Sequence, residues 1–170
     1  GRSGIVRVYV NSSIRTYGAG STAVMGFSTN DPIIDIAKDV ELLGGAGGHA
    51  LLLDSPINQV TNAGHLSTMD GAAGLTLHAP QGDTSIVNSG SMTGSVKLAQ
   101  GATSLLHNRA GGTINAGASL DLGGGTFRNE GLLGNGDAIG KTLINGSLLQ
   151  SDSASIIVRL DQARGEADSF

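Results

Sequence analysis

Between Val60 and Leu160 the apolar positions recur in threes, separated by glycine-containing turns. One set is Leu66, then Leu75 and Leu77, then Ile86 and Val87. The next is Met92, then Val96 and Leu98, then Leu105 and Leu106, followed by Ile114, then Leu120 and Leu122, then Phe127. Each set meets an asparagine–glycine turn: Asn62-Ala63-Gly64, Asn88-Ser89-Gly90, Asn108-Arg109-Ala110-Gly111, Asn129-Glu130-Gly131 and a shortened Asn145-Gly146. From Asn62 to Asn129 the asparagines return every ~20–26 residues, and the last step, to Asn145, is shorter. A period in this range marks a repeat architecture. Three short strands per repeat, always in the same order, describe a chain winding around a three-sided prism. The expected fold is all-β: a parallel β-helix, or three-sided β-solenoid, of about 20–26 residues per coil. Parallel crossovers make the winding right-handed.

The N-terminal part carries the same alternation. Ile5, Val6, Val8, Val10 and Ile14, then Val24 and Phe27, mark short strands around a Gly18-Ala19-Gly20 break. Residues 31–43 admit two readings. Asp31-Pro32 followed by Ile33, Ile36, Ala37, Val40 and Leu43 matches a capped amphipathic helix. The same residues also alternate, with Ile34, Ile36, Val40 and Leu42 on one face and Asp35, Asp39 and Glu41 on the other, and the strand reading is preferred. Pro32, Pro56 and Pro80 are equally spaced, as if one corner of the coil were revisited twice. At the turns, Asn tolerates the left-handed backbone, its amide suits a ladder with the Asn one coil away, and Gly allows positive φ or close approach.

Composition narrows this further. Glycine accounts for 28 of 170 residues, while 14% are charged and 3% aromatic, and the net charge is −4. With 39% hydrophobic residues the chain is a folded single domain rather than a disordered tail. The ten Lys and Arg residues are scattered, which argues against a nucleic-acid partner. Cysteine is absent, so disulfides, thiol catalysis and cysteine-bound zinc are excluded. The sequence opens without an initiator Met or an apolar leader and shows no capping element at either end. It therefore reads as one β-helix fragment, residues 1–170, of a longer protein whose caps lie outside it.

Candidate chemistry is sparse. Gly18-Ala19-Gly20-Ser21-Thr22-Ala23 and Gly45-Ala46-Gly47-Gly48-His49-Ala50 approach a dinucleotide fingerprint, but neither leads into a helical period, so both read as turns. Gly134-Asn135-Gly136-Asp137 matches one fragment of a calcium nonapeptide repeat without a second copy. His49, His65, His78 and His107 show no metal spacing, and His65 and His107 read as solvated positions beside the repeated turn. No catalytic, cofactor-binding or metal-binding set emerges. The densest carboxylate group, Asp35, Asp39 and Glu41, reads as the solvent half of an alternating strand. The alternative is a polysaccharide-acting β-helix enzyme, a lyase or glycosidase, built on those three carboxylates.

Val87-Asn88-Ser89-Gly90-Ser91-Met92-Thr93-Gly94-Ser95-Val96-Lys97-Leu98 resembles the N-x-G-x-I-x-G-x-V-x-L coils of bacterial autotransporter passenger domains. Asn108 to Leu133 continues the likeness through Ile114-Asn115-Ala116-Gly117 and Leu122-Gly123-Gly124-Gly125. The tail, from Leu149-Gln150-Ser151 to Ile157-Val158 and Ala167-Asp168, is similar to the last coils of a passenger, before the autochaperone and the membrane barrel. The segment Val8 to Gly18 resembles coils further upstream. The resemblance implies a non-catalytic stalk or binding surface at the bacterial cell surface, or secreted from it. It also implies an outer-membrane barrel of the same protein as one partner, and a host or cell-surface protein or glycan as the other. Adhesion and virulence are the roles it suggests.

Overall fold

The computed structural model describes residues 5–29, 31–101, 103–136 and 138–170. Its chain winds as a three-sided parallel β-helix of about six turns. The first coil contains Val6–Val10 (β1), Ile14–Arg15 (β2) and Val24–Phe27 (β3). The second begins with Pro32–Ile36 (β4) and Glu41–Gly44 (β5). From there several strands bend round a corner and serve two or three faces: Leu51–Asn62 (β6), His65–Thr68 (β7), Leu75–Asn88 (β8), Ser91–Leu98 (β9), Leu105–Asn108 (β10), Thr113–Asn129 (β11), Leu132–Gly134 (β12) and Leu143–Gln150 (β13). Ser155–Ile156 (β14) opens a last partial coil, and Leu160–Asp161 (β15) and Glu166–Ala167 (β16) pair as a small antiparallel hairpin. A single 3₁₀ turn, Gly71–Ala73, is the one helical element among the described residues. Residues 31–43 are therefore strand, corner and strand, with no helix.

Each face is a ladder of equivalent residues. On the first face, Ile34, Val60, Ile86, Leu106 and Phe127 stack inward through the parallel register. On the second, Leu42, Leu66, Met92, Ile114 and Leu133 do the same. On the third, the inward row is Leu51, Leu77, Val96 and Leu120. All of these are buried and form one continuous core. A fully buried side chain of this size stabilises by ~1.5–3 kcal/mol, so the rows are the main source of stability. The alternation sends Leu75, Val87 and Leu105, which the sequence groups with the apolar clusters, to half-buried positions on the outer surface.

The corners are polar inside, because there the backbone turns away from its sheet partners and its buried groups need others. At the corner between the first and second faces the amide of Asn62 donates to Asn88 Oδ1, Asn88 to Asn108 and Asn108 to Asn129, each at 2.8 Å. Asn129 in turn donates to Gln150 Oε1 at 3.0 Å. The asparagines are fully buried and also bond the turns: Asn108 Nδ2 reaches the carbonyls of Gly112 and Leu132, each at 3.2 Å. The last rung is Gln150, 21 residues after Asn129. Asn145, from the shortened Asn-Gly, lies instead on the outer surface and donates to Asp121. Upstream the slot is filled by Ile36 and Val10. Among the described residues only Asp39 combines a side chain with positive φ. The asparagines are thus selected for the ladder and not for a left-handed backbone. Their glycines answer to close approach: a Cβ on Gly90 would lie 2.1 Å from the carbonyl oxygen of Gly64, one coil away.

The other two corners follow the same logic. Asn58 donates to Thr84 Oγ1 at 3.2 Å where the third face bends into the first, and Thr142 Oγ1 donates to the Gly117 carbonyl at 2.7 Å between the second and third. Pro32, Pro56 and Pro80 all belong to the bend from third to first face. The register there carries Ile33 to Gln59 and Gln59 to Ser85, a longer step than the one between prolines. Each proline therefore falls earlier in its coil than the one before. The later coils are shorter, and the difference lies between the second and third faces from Met92 to Val96 and between the third and first faces from Ile144 to Leu148. Between the second and third faces the early coils have loops, one later coil turns directly at Gly94, whose φ is +118°, and a loop returns between Gly134 and Leu143.

Replacing Asn108 with Leu should lower the unfolding free energy by about 1–3 kcal/mol, since it removes one hydrogen-bond partner each from the Asn88 amide, Asn129 Oδ1 and the carbonyls of Gly112 and Leu132. Chemical denaturation measures this, and an unchanged midpoint would remove the ladder from the list of stabilising features.

Candidate functional site

The three carboxylates singled out from the sequence are not drawn together. Asp35 faces outward on the first face, where Arg7 Nε from the preceding coil lies 2.7 Å from its Oδ2. Glu41 faces outward on the second face and is bonded by Arg15. Each arginine is held above its ordinary range mainly by that hydrogen bond, with the carboxylate charge second. Asp39 occupies the corner between them with φ +62°, the position taken in a later coil by Gly111 at +83°. Its place is conformational, since Asp is among the few residues that tolerate this region.

The glycine-rich near-fingerprints are stacked loops. Gly20 N–H donates to the Ala46 carbonyl and Gly45 N–H to the Ser21 carbonyl, so each fills the space beside the other. Gly47 N–H donates to Asp70 of the next coil at 2.6 Å. Asp137 of the calcium-like fragment lies outside the described residues. Among the described residues no three His, Asp or Glu side chains converge as metal ligands would.

The histidines divide. His65 is exposed, with Nδ1 2.7 Å from Ser91 Oγ. His107 is largely covered, contrary to the solvated reading, because Glu130 of the next coil folds over it with Oε2 3.2 Å from His107 Nε2. Contact with His107, helped by the Arg128 guanidinium at 2.6 Å, holds the Glu130 carboxyl below its usual range. Glu130 also borders a small groove over the turns at Gly111, Gly131 and Ser153. On the third face His49 and His78 meet edge to face at 5.3 Å. Burial, then His49 and Lys97, push the His78 imidazole down, against the pull of Asp54. Further along the same outer column stand Lys97, Asp121 and Asn145. Burial alone would raise the Asp121 carboxyl, but the Gly123 N–H and the amides of Asn145 and Gln100 keep it below its usual range.

Two further features escape the sequence pattern. At the corner from third to first face, open troughs of about 510 Å³ and about 620 Å³ adjoin. Phe27, Asp54, Pro56 and Gln81 line the first, and Pro56, Pro80, Gln81, Asp83 and Gln100 line the second. Near the C-terminus Arg159 ties the tail to the last full coil. Its Nε lies 2.8 Å from the buried Asp168, and its other nitrogens donate to the carbonyls of Asn135, Gly136 and Ala138. Asp168 also accepts from Gly140 N–H at 2.8 Å. This clasp is a partial cap where the sequence shows only a polar tail, although Leu143, Leu149 and Val158 around it stay exposed.

No family model, curated protein or solved structure matches the chain.

The hydrogen bond from Arg159, ahead of burial and of the backbone donors, brings the Asp168 carboxyl from 3.8 down to about 2. A depressed carboxyl stabilises the fold fully above its unfolded value and loses that contribution as pH falls through the folded one. Unfolding free energy should therefore decline as pH drops from about 4 to about 2, and Asp168→Asn should flatten that decline in a denaturant series. At Asp39, substitution by Gly should leave stability within about 1 kcal/mol of the parent, whereas Asp39→Val should cost about 1–2 kcal/mol. A penalty from Gly as large as that from Val would assign the carboxylate itself a bonding role.

Proposed function

We propose that the chain is a non-catalytic β-helical segment of a bacterial autotransporter passenger, serving at the cell surface, or released from it, as a stalk and as a surface for binding other molecules. The observation that carries this reading is the division of labour in the coil. The buried polar side chains at the corners are committed to neighbouring coils, and of the carboxylates suspected of chemistry Asp35 and Glu41 stand on separate faces with their own arginines while Asp39 holds the corner between them. Such a body supplies length and outer surface. Six steps between the seven rungs from Val10 to Gln150, at ~4.8 Å each, give a rod of about 29 Å. Solenoids use surfaces of this kind as extended binding faces. The likeness of Val87 to Leu98 to autotransporter coils supplies the biological setting, including adhesion and virulence as roles.

The enzymatic alternative would require Asp35, Asp39 and Glu41 to share one groove, and no observation here favours it over the binding reading. The setting is tested by placing the chain between a secretion signal and an outer-membrane barrel in a Gram-negative host. Added protease should remove it from intact cells, and retention in the periplasm would overturn the assignment. A hydrolytic or lyase activity of the purified chain, abolished by one carboxylate substitution, would overturn the non-catalytic part.

A further inference from the structure

The corner at which the third face bends into the first carries two adjoining troughs, and its chemistry differs from that of the flat faces. Parallel register places Phe27 beside Asp54 and Asp54 beside Gln81, one residue from each of three successive coils. Phe27 is 57% exposed, an unusual position for one of only five aromatic residues in the chain. Among the described residues the Asp54 carboxylate and the Gln81 carboxamide have no hydrogen-bond partner. Pro56 and Pro80 put pyrrolidine rings against the same recess, and no Lys or Arg lines either trough.

We propose that this trough binds an uncharged linear glycan lying along the axis of the rod. The proposal rests on reading the outer surface as a binding surface and names its ligand class. Three observations lead to it. An exposed aromatic ring and two pyrrolidine rings offer apolar platforms for the C–H faces of pyranose rings. A free carboxylate accepts from sugar hydroxyls, and a free carboxamide both donates and accepts, which gives the few placed polar groups that orient a ligand in a mainly apolar cleft. The third observation is repeat length. The rungs are ~4.8 Å apart, and a pyranose unit in an extended chain advances by close to one rung. A polypeptide advances ~3.1–3.4 Å per residue, about one and a half residues per rung, so successive residues cannot meet successive rungs. The absence of lining cations, with Asp54 and Asp83 at the edge, selects against polyanionic glycans through like-charge repulsion.

The test uses the whole chain in isothermal titration calorimetry against two probes, the β-1,4-linked tetramers of glucose and of N-acetylglucosamine. Heparin and a lysine-rich peptide serve as competing classes. At least one tetramer should bind, and Phe27→Ala and Asp54→Ala should each weaken it by about tenfold, which corresponds to ~1.4 kcal/mol. Gln81→Ala should also weaken it, and Thr61→Ala on the first face should not. Because Phe27 is exposed, its removal leaves the core intact, and an unchanged melting temperature checks this. Binding of neither tetramer, affinity indifferent to Phe27 and Asp54, or preference for heparin or the peptide would each overturn the proposal. Display at the cell surface without sugar binding would sink the glycan assignment alone, whereas failed display with intact sugar binding would sink only the passenger setting.

Discussion

The buried amide ladder is the constraint from which the rest of this molecule follows. A carboxamide closed away from water must have its donors and acceptor satisfied, at a cost of ~1–3 kcal/mol for each group left alone. Asn62, Asn88, Asn108 and Asn129 meet that demand only if every coil returns its asparagine to the same axial line. The ladder therefore fixes the register of the first face. That register decides which residues of every coil face inward, since a slip of one residue would turn the whole apolar row outward. The apolar rows supply most of the stabilisation, and the ladder determines which winding receives it.

Much of this was legible in the sequence because the ladder writes itself as a period. Asn, the following Gly and the three apolar clusters locate one corner and imply three faces. The faces appear where the clusters are, and residues 31–43 alternate as strand because Ile34, Ile36, Val40 and Leu42 are inward positions. What misled was residue identity. Asn145-Gly146 copies the motif, yet the slot 21 residues beyond Asn129 belongs to Gln150, whose longer amide reaches the same line. In the other direction Ile36 holds the slot without any amide, so the motif falls silent while the coil continues. Spacing of inward positions, rather than spelling, defines the rung.

Features that join residues about one coil apart were hidden for a related reason. The covering of His107 by Glu130, the clasp of Arg159 on the loop at Asn135, and the alignment of Phe27, Asp54 and Gln81 all depend on knowing the register. A carboxylate cluster in sequence, by contrast, is scattered by the winding, since each corner turns the outward direction and puts Asp35 and Glu41 on different walls. In a solenoid, proximity along the chain is a poor guide to a site and proximity modulo one coil is a good one.

The corners also differ in how much variation they admit. Between the second and third faces the chain passes from a loop with its own 3₁₀ turn at Gly71–Ala73 to a direct turn at Gly94, a marked shortening, while the rungs before and after keep their alignment. The opposite is true beside the ladder, where a Cβ on Gly64, Gly90 or Gly131 would strike a carbonyl of the neighbouring coil. Length changes are thus carried mainly by the corners on either side of the third face, and the edge between the second and third faces takes the longest loops. That edge is where an inserted loop, or an entire extra domain, can be hung on the rod without unwinding it.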